Sequence, residues 1–220
     1  DLREGKPTLP LIYVMKAGSA AERAQVRHAI EHGGKADLEG VVAAIHRVGA
    51  LELDPVSVIM NRIYADILMD GRRFDEAIPQ YQKTIELDPN FPTAHFFLGR
   101  AYEAKGMYDQ AVAEYSKSQA LTGVSPEAIK KLQETYTRSG WKAYVQMNVD
   151  QVLSQRNFPP YVLATFYARL DRNDEALMWL EKGYEQRDFR MTLLSVDYEF
   201  DKMRSEPKFK ELVRRMGLPG

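Results

Sequence analysis

The sequence predicts an all-helical protein built from repeated helix hairpins, and three observations carry that prediction. Leu98, Gly99 and Tyr102 share one helix face, because they are spaced one, three and four residues apart, and Ala111 with Tyr115 share a face of a second helix. Gly106 separates the two helices, and glycine enters the left-handed region without a Cβ penalty. The same order recurs thirty-four residues upstream as Tyr64-Ala65, Leu68, Gly71, Phe74, Ala77 and Tyr81, and thirty-four downstream as Leu132, Tyr136, Gly140, Val145 and Val149. A fourth copy, Leu163-Ala164, Tyr167, Asn173, Ala176 and Leu180, fits once three residues are dropped. Finally, Tyr13 is the one aromatic residue before position 53, which marks a compositional boundary near Glu52.

Taken in order, the N-terminal stretch predicts three short helices, Leu9 to Ala17, Ser19 to Glu31 and Asp37 to Val48. Pro10 suits a first turn, Ser19 with Glu22 makes a capping box, and Gly33-Gly34 interrupts the second helix. His28 and His32 are four apart with Glu31 between them, but with no third ligand in reach the expected setting is a solvated face. His46 reads the same way, and His95 reads as a packing residue.

The first hairpin is expected over Val58 to Asp70 and Phe74 to Leu87, with Pro79 early in its second helix. Asp88-Pro89-Asn90 turns the chain toward the next copy, where Pro92 opens a helix at a position that needs no N–H. Ser125-Pro126-Glu127 repeats that logic as N-cap, first-turn proline and first-turn acid. Phe158-Pro159-Pro160 marks a further turn. Beyond Arg190 the period is lost: Asp188 to Asp197 has no clean helical pattern, while Pro207 to Met216 does, with Phe209, Leu212 and Val213 on one side. The resulting division is 1–52, a repeat array over 53–190 (copies 58–91, 92–125, 126–159 and a degenerate 157–190), and a capping segment over 191–220.

Composition narrows the function. The chain of 220 residues has no cysteine, which excludes disulfides and thiolate metal sites. A net charge of -1 gives no basic face for nucleic acid. Apolar runs fall far short of the ~20 residues that span a bilayer, and no basic, apolar and small-residue leader is visible, so a cytoplasmic protein without membrane insertion is expected. There is no phosphate-cradling glycine loop, metal-ligand cluster or nucleophile elbow. The reading is therefore of a protein with no catalytic residue, metal or cofactor.

The period of thirty-four with this residue order resembles the tetratricopeptide repeat over roughly Val58 to Arg190. The resemblance implies a right-handed α-solenoid of about four hairpins with helical caps at both ends, whose stacked first helices line a concave groove. The tail Phe200-x-x-Met203-Arg204-Ser205-x-Pro207-x-Phe209 resembles segments that follow such arrays in bacterial regulators. Asp1-Leu2-Arg3-Glu4-Gly5-Lys6-Pro7-Thr8-Leu9-Pro10, continuing through Arg27-His28-Ala29-Ile30-Glu31 to Gly49-Ala50-Leu51-Glu52, resembles part of the long-chain (octaprenyl-type) polyprenyl diphosphate synthases. In that family the lysine matching Lys6 helps to hold a diphosphate beside Mg²⁺. No Asp-Asp-x-x-Asp occurs in this chain, so the stretch reads as a fragment of such an enzyme joined to a repeat array, and its helices are expected to cover the end of the first repeat.

Groove-facing residues lie three and four apart, offset from the packing positions. They are Arg62, Asp66 and Met69 in the first copy, Phe96, Arg100 and Glu103 in the second, Lys130, Glu134 and Thr137 in the third, and Tyr161 and Thr165 in the fourth. Alternating charge with aromatic anchors suits an extended or helical peptide of an unidentified protein partner. Asp66 stands where a clamp for a terminal carboxylate would need an uncharged donor. Two other readings remain beside this interaction module: residual isoprenoid diphosphate binding through Lys6, and self-association through an uncapped end, with the chain otherwise a monomer.

Overall fold

In a computed structural model, the described residues, 9–32, 35–49, 57–155 and 158–218, form helices and turns with no strand among them. The chain divides into two compact units, Asp1–Ser125 and Pro126–Gly220. Lys6 and the Gly33-Gly34 interruption lie outside the described residues.

The first unit opens with α1 (Leu9–Ala17), α2 (Ala20–His32) and α3 (Lys35–Arg47). The capping box forms: the Ser19 backbone N–H donates to Glu22 Oε2 at 2.6 Å, and the Glu22 N–H donates to Ser19 Oγ at 3.3 Å. Those Ser19 bonds, with Arg47 beside them, hold the Glu22 carboxyl below its usual range. Leu11, Val14, Val26, Val41 and Ile45 make the core of this part, and α1 and α3 both pack on α4 (Val58–Asp70). His46, expected as an ordinary solvated residue, is hydrogen-bonded through Nε2 to the Tyr64 hydroxyl, with the two rings edge-on at 5.0 Å. Burial pushes the Tyr64 phenol up to about 12. His28 is exposed on α2.

Two hairpins follow, α4 with α5 (Phe74–Leu87) and α6 (Pro92–Ala104) with α7 (Tyr108–Leu121). Ser57 caps α4 by accepting from the Met60 N–H. In the second hairpin a Cβ on Gly99 would lie 2.8 Å from the Tyr115 ring, so the absent side chain is what lets that ring sit between the helices. Tyr81 is fully buried at the matching place in the first hairpin. It stacks on Phe97 of α6 with centroids 6.1 Å apart and planes at 11°, which joins one hairpin to the next. His95 does more than pack. It is 5% exposed, with Nδ1 2.6 Å from Glu114 Oε2 and Nε2 3.0 Å from the Pro89 carbonyl, and so ties α6 to α7 and to the preceding turn.

The second unit begins with α8 (Pro126–Leu153), which is interrupted at Gly140, where φ is 77° and ψ −173°. Thr135 Oγ1 donates to Met147 Sδ at 3.3 Å, and the Tyr136 and Tyr144 rings are 6.3 Å apart. Residues twelve apart in a straight helix would be ~18 Å apart along its axis, so the chain folds back at Gly140 into a hairpin. Next come α9 (Pro160–Arg169) and α10 (Asn173–Glu185), then 3-10 turns at Phe189–Leu193 and Tyr198–Met203, and α11 (Pro207–Arg215). Leu163, Leu180, Leu194, Phe200, Met203 and Leu212 are sealed in one core.

One backbone feature tracks the repeat more faithfully than any side chain. The residue that turns each hairpin has positive φ at Arg72 (63°), Gly106 (72°), Gly140 (77°) and Asp171 (59°), spaced as the copies are. In the first copy the left-handed position is thus Arg72 and not the neighbouring Gly71, whose φ is −74°. The Arg72 and Arg73 N–H groups donate to the Met69 and Leu68 carbonyls at 3.0 and 2.9 Å, the backbone bonds that close the helix end there, and Arg72 Nη1 also donates to the Asp70 carbonyl at 2.6 Å. Asp171 takes the same turn, with the Asp171 and Arg172 N–H groups donating to the Ala168 and Tyr167 carbonyls at 3.0 Å each; Lys142 at 3.0 Å and Lys202 at 2.6 Å from its carboxyl keep that group below its usual range.

Candidate functional site

The face that the repeat register assigns to α4 and α6 is built from residues three and four apart. Phe96 is 40% exposed, and its ring rests on Phe97 (centroids 5.4 Å apart) and on Tyr115 (5.7 Å). It is an apolar surface held from behind by two other rings. The Arg100 guanidinium lies over Phe97, 5.8 Å from its centroid. Ile59, three residues before Arg62 on α4, is 50% exposed; the sequence reading passed over it, although the same spacing could have found it.

The two carboxylates of this face are turned inward. Asp66 is 6% exposed and accepts from the Tyr81 hydroxyl at 2.7 Å, with Arg62 paired on its other oxygen. Glu103 is 9% exposed and accepts from the Tyr115 hydroxyl at 2.6 Å. Each acid hydrogen-bonds the large tyrosine of its own hairpin, as a buried carboxylate must to offset its desolvation. The Arg62 and Arg100 side chains are partly exposed, Arg62 in its ion pair with Asp66. Met69, expected in the groove, is instead a core residue, 3% exposed.

In the second unit, Lys130 and Glu134 are exposed on α8 and lie 3.8 Å apart, and Thr137 is exposed beside them. Tyr161 and Thr165, expected on the groove, are buried, so that expectation is corrected. The Tyr161 hydroxyl donates to Asp197 Oδ2 at 2.9 Å, its ring meets Phe200 edge-on at 5.6 Å, and its backbone N–H donates to Asp188 Oδ2 at 3.3 Å. The Thr165 hydroxyl donates to the Val162 carbonyl at 2.8 Å. The segment after α10, whose sequence shows no period, covers this face.

Among the described residues no group of three or more His, Asp or Glu side chains is placed to hold a metal ion. No described helix is long and apolar enough to cross a membrane.

Short stretches of the chain are similar to polyprenyl diphosphate synthases. The octaprenyl diphosphate synthase of Haemophilus influenzae is 53% identical over 45 residues, covering 20% of this chain and 14% of that protein. The all-trans-nonaprenyl-diphosphate synthase (geranyl-diphosphate specific) of Rhodobacter capsulatus is 46% identical over 52 residues, 24% of this chain and 16% of that protein. The octaprenyl diphosphate synthase of Escherichia coli is 47% identical over 53 residues, with the same two shares. The chain thus spans between 14% and 16% of the length of these curated relatives. The tetratricopeptide repeat family model matches residues 49–126, the part of the chain that holds both hairpins of the first unit.

Proposed function

We propose that the first unit is a non-enzymatic interaction module whose α4–α6 face binds a segment of another protein. The observation that carries this reading is Phe96, a large ring 40% exposed on a shelf of Phe97 and Tyr115. A fixed aromatic surface beside an arginine is the composition of an interface anchor and not of a solvated helix face. Tetratricopeptide repeats generally mediate protein–protein contacts, which agrees with it. The three N-terminal helices serve this module as a cap on the first hairpin.

The test places a photo-crosslinking amino acid at Phe96 and, as a control, at Lys83, which lies on α5. A discrete crosslinked product is expected at position 96 and not at 83. Equal products at both positions, or none at 96, would remove the proposal.

A second reading is favoured by the synthase similarity: the N-terminal stretch keeps a weak affinity for an isoprenoid diphosphate through Lys6, without the aspartate clusters that would bind Mg²⁺ and promote ionisation. Titrating a prenyl diphosphate with Mg²⁺ while following thermal melting separates the two. The interaction-module reading expects no shift. A saturable rise in Tm that vanishes in Lys6→Ala would establish the second instead.

A further inference from the structure

One polar step between the two helices of a hairpin is built twice in the first unit, a period apart and from different chemistry. In the first hairpin it joins Asn61 of α4 to Gln80 of α5. Gln80 Nε2 donates to Asn61 Oδ1 at 2.6 Å, and Asn61 Nδ2 donates to the Ser57 carbonyl at 2.8 Å. In the second hairpin the same two places hold His95 of α6 and Glu114 of α7. His95 Nδ1 is 2.6 Å from Glu114 Oε2, and Nε2 is 3.0 Å from the Pro89 carbonyl. Both first-helix members are sealed, Asn61 at 1% and His95 at 5% exposed. The donors of the amide pair are fixed at any pH. Those of the second pair are not, because a neutral imidazole has one N–H and both ring nitrogens of His95 face an acceptor. Glu114 also accepts from Lys117 Nζ on its other oxygen at 2.7 Å, so it serves as an acceptor on both sides.

We infer that His95 and Glu114 form a proton-operated clasp in the second hairpin, closed while the imidazole carries both ring protons and loosened when it gives one up. The protonated ring donates to the Glu114 carboxylate and to the Pro89 carbonyl at once, and so ties α7 and the Asp88-Pro89-Asn90 turn to α6. A neutral ring leaves one of those acceptors facing a lone pair in a site closed to water. The charged groups around the pair are few. From α7 come Glu114 and, behind it, Lys117; the turn supplies Asp88, whose Oδ1 accepts from the Asn90 N–H at 3.0 Å. Among the described residues no charged side chain of α4 or α5 pairs with His95. Since the closed clasp favours the protonated ring, it contributes stability on the acid side of the imidazole range, and that contribution is lost as pH rises through it. The first hairpin, with amides in the same places, has no such dependence.

The test follows thermal melting of the full chain from pH ~5.5 to ~8.5, a window that spans the imidazole range and lies above that of the carboxylates. The comparison is the double variant His95→Asn with Glu114→Gln, which installs the first hairpin's pair in the second. The Tm of the unaltered chain, relative to that of the double variant, is expected to fall by ~2–4 °C from the acid to the basic end, the shift that one lost buried hydrogen bond gives in a chain of this size. A relative Tm that stays flat or rises with pH would overturn the inference. Nitrogen NMR of the imidazole rings gives a second reading, with His95 assigned by its absence in His95→Asn. Its ring should lose one proton within the window, and the Glu114 and Asn90 backbone amides should shift with the same midpoint. A ring that is neutral throughout, or that changes charge without any response of those amides, would also overturn it. If the double variant does not fold, the spectrum of the unaltered chain decides alone.

Discussion

Replacing Glu199 with alanine should lower stability by about 3–5 kcal/mol, more than a residue of a short 3-10 turn ordinarily would. Glu199 is paired with Arg169, their side chains 2% and 9% exposed, and Arg169 Nε and Nη2 both donate to the same carboxylate oxygen. The other flank of the guanidinium lies against Phe166, 5.2 Å from its centroid. Truncating the acid takes from a nearly buried cation the carboxylate that offsets its lost hydration. The cost is that of a buried charge deprived of this partner and not the net worth of the pair, and the two can be told apart. Arg169→Met combined with Glu199→Leu removes both charges at similar volume and should recover most of the loss. Urea denaturation of the two single variants and the double one reads this directly. A Glu199→Ala variant within 1 kcal/mol of the unaltered chain would mean that the segment over α9 is not closed onto it.

Much of the fold was legible because its helices carry their own punctuation. Ser19 with Glu22, Pro92, Gly106 and Pro207 each act through local backbone chemistry; α1, α4 and α5 run between the residues that the sequence alone indicates, and α6 and α11 start at theirs. Less legible were the features set by tertiary partners. The left-handed turn at Arg72 and Asp171 is a separate case that no glycine marks, because backbone bonds to the Leu68 and Tyr167 carbonyls close the helix end there. At the site, spacing gave the face of each helix but not the depth of each residue. Asp66 and Glu103 read as surface charges until Tyr81 and Tyr115 are seen to reach them across the hairpin. Tyr161 read as a groove residue because nothing in the aperiodic stretch after Arg190 announces that Asp197 and Phe200 fold back over it.

For Tyr81→Ala the expected loss is about 3–5 kcal/mol, and its physical source can be divided. The side chain has no exposed surface, stacks on Phe97 of the next hairpin, and donates its hydroxyl to buried Asp66. Tyr81→Phe keeps the ring and removes only the hydroxyl. Asp66 then retains Arg62 as a partner, so the loss should be about 1–2 kcal/mol, the usual cost of leaving a buried acceptor with one donor fewer. The difference between the two variants measures ring packing, both within the first hairpin and between it and the second. If stacking of hairpins is what stabilises the repeat, Tyr81→Ala should also lower the cooperativity of melting, because the contact it removes spans two hairpins. Thermal unfolding followed by circular dichroism tests this. A Tyr81→Ala loss no larger than that of Tyr81→Phe would show that the ring contributes nothing beyond its hydroxyl and that the hairpins are not joined through it.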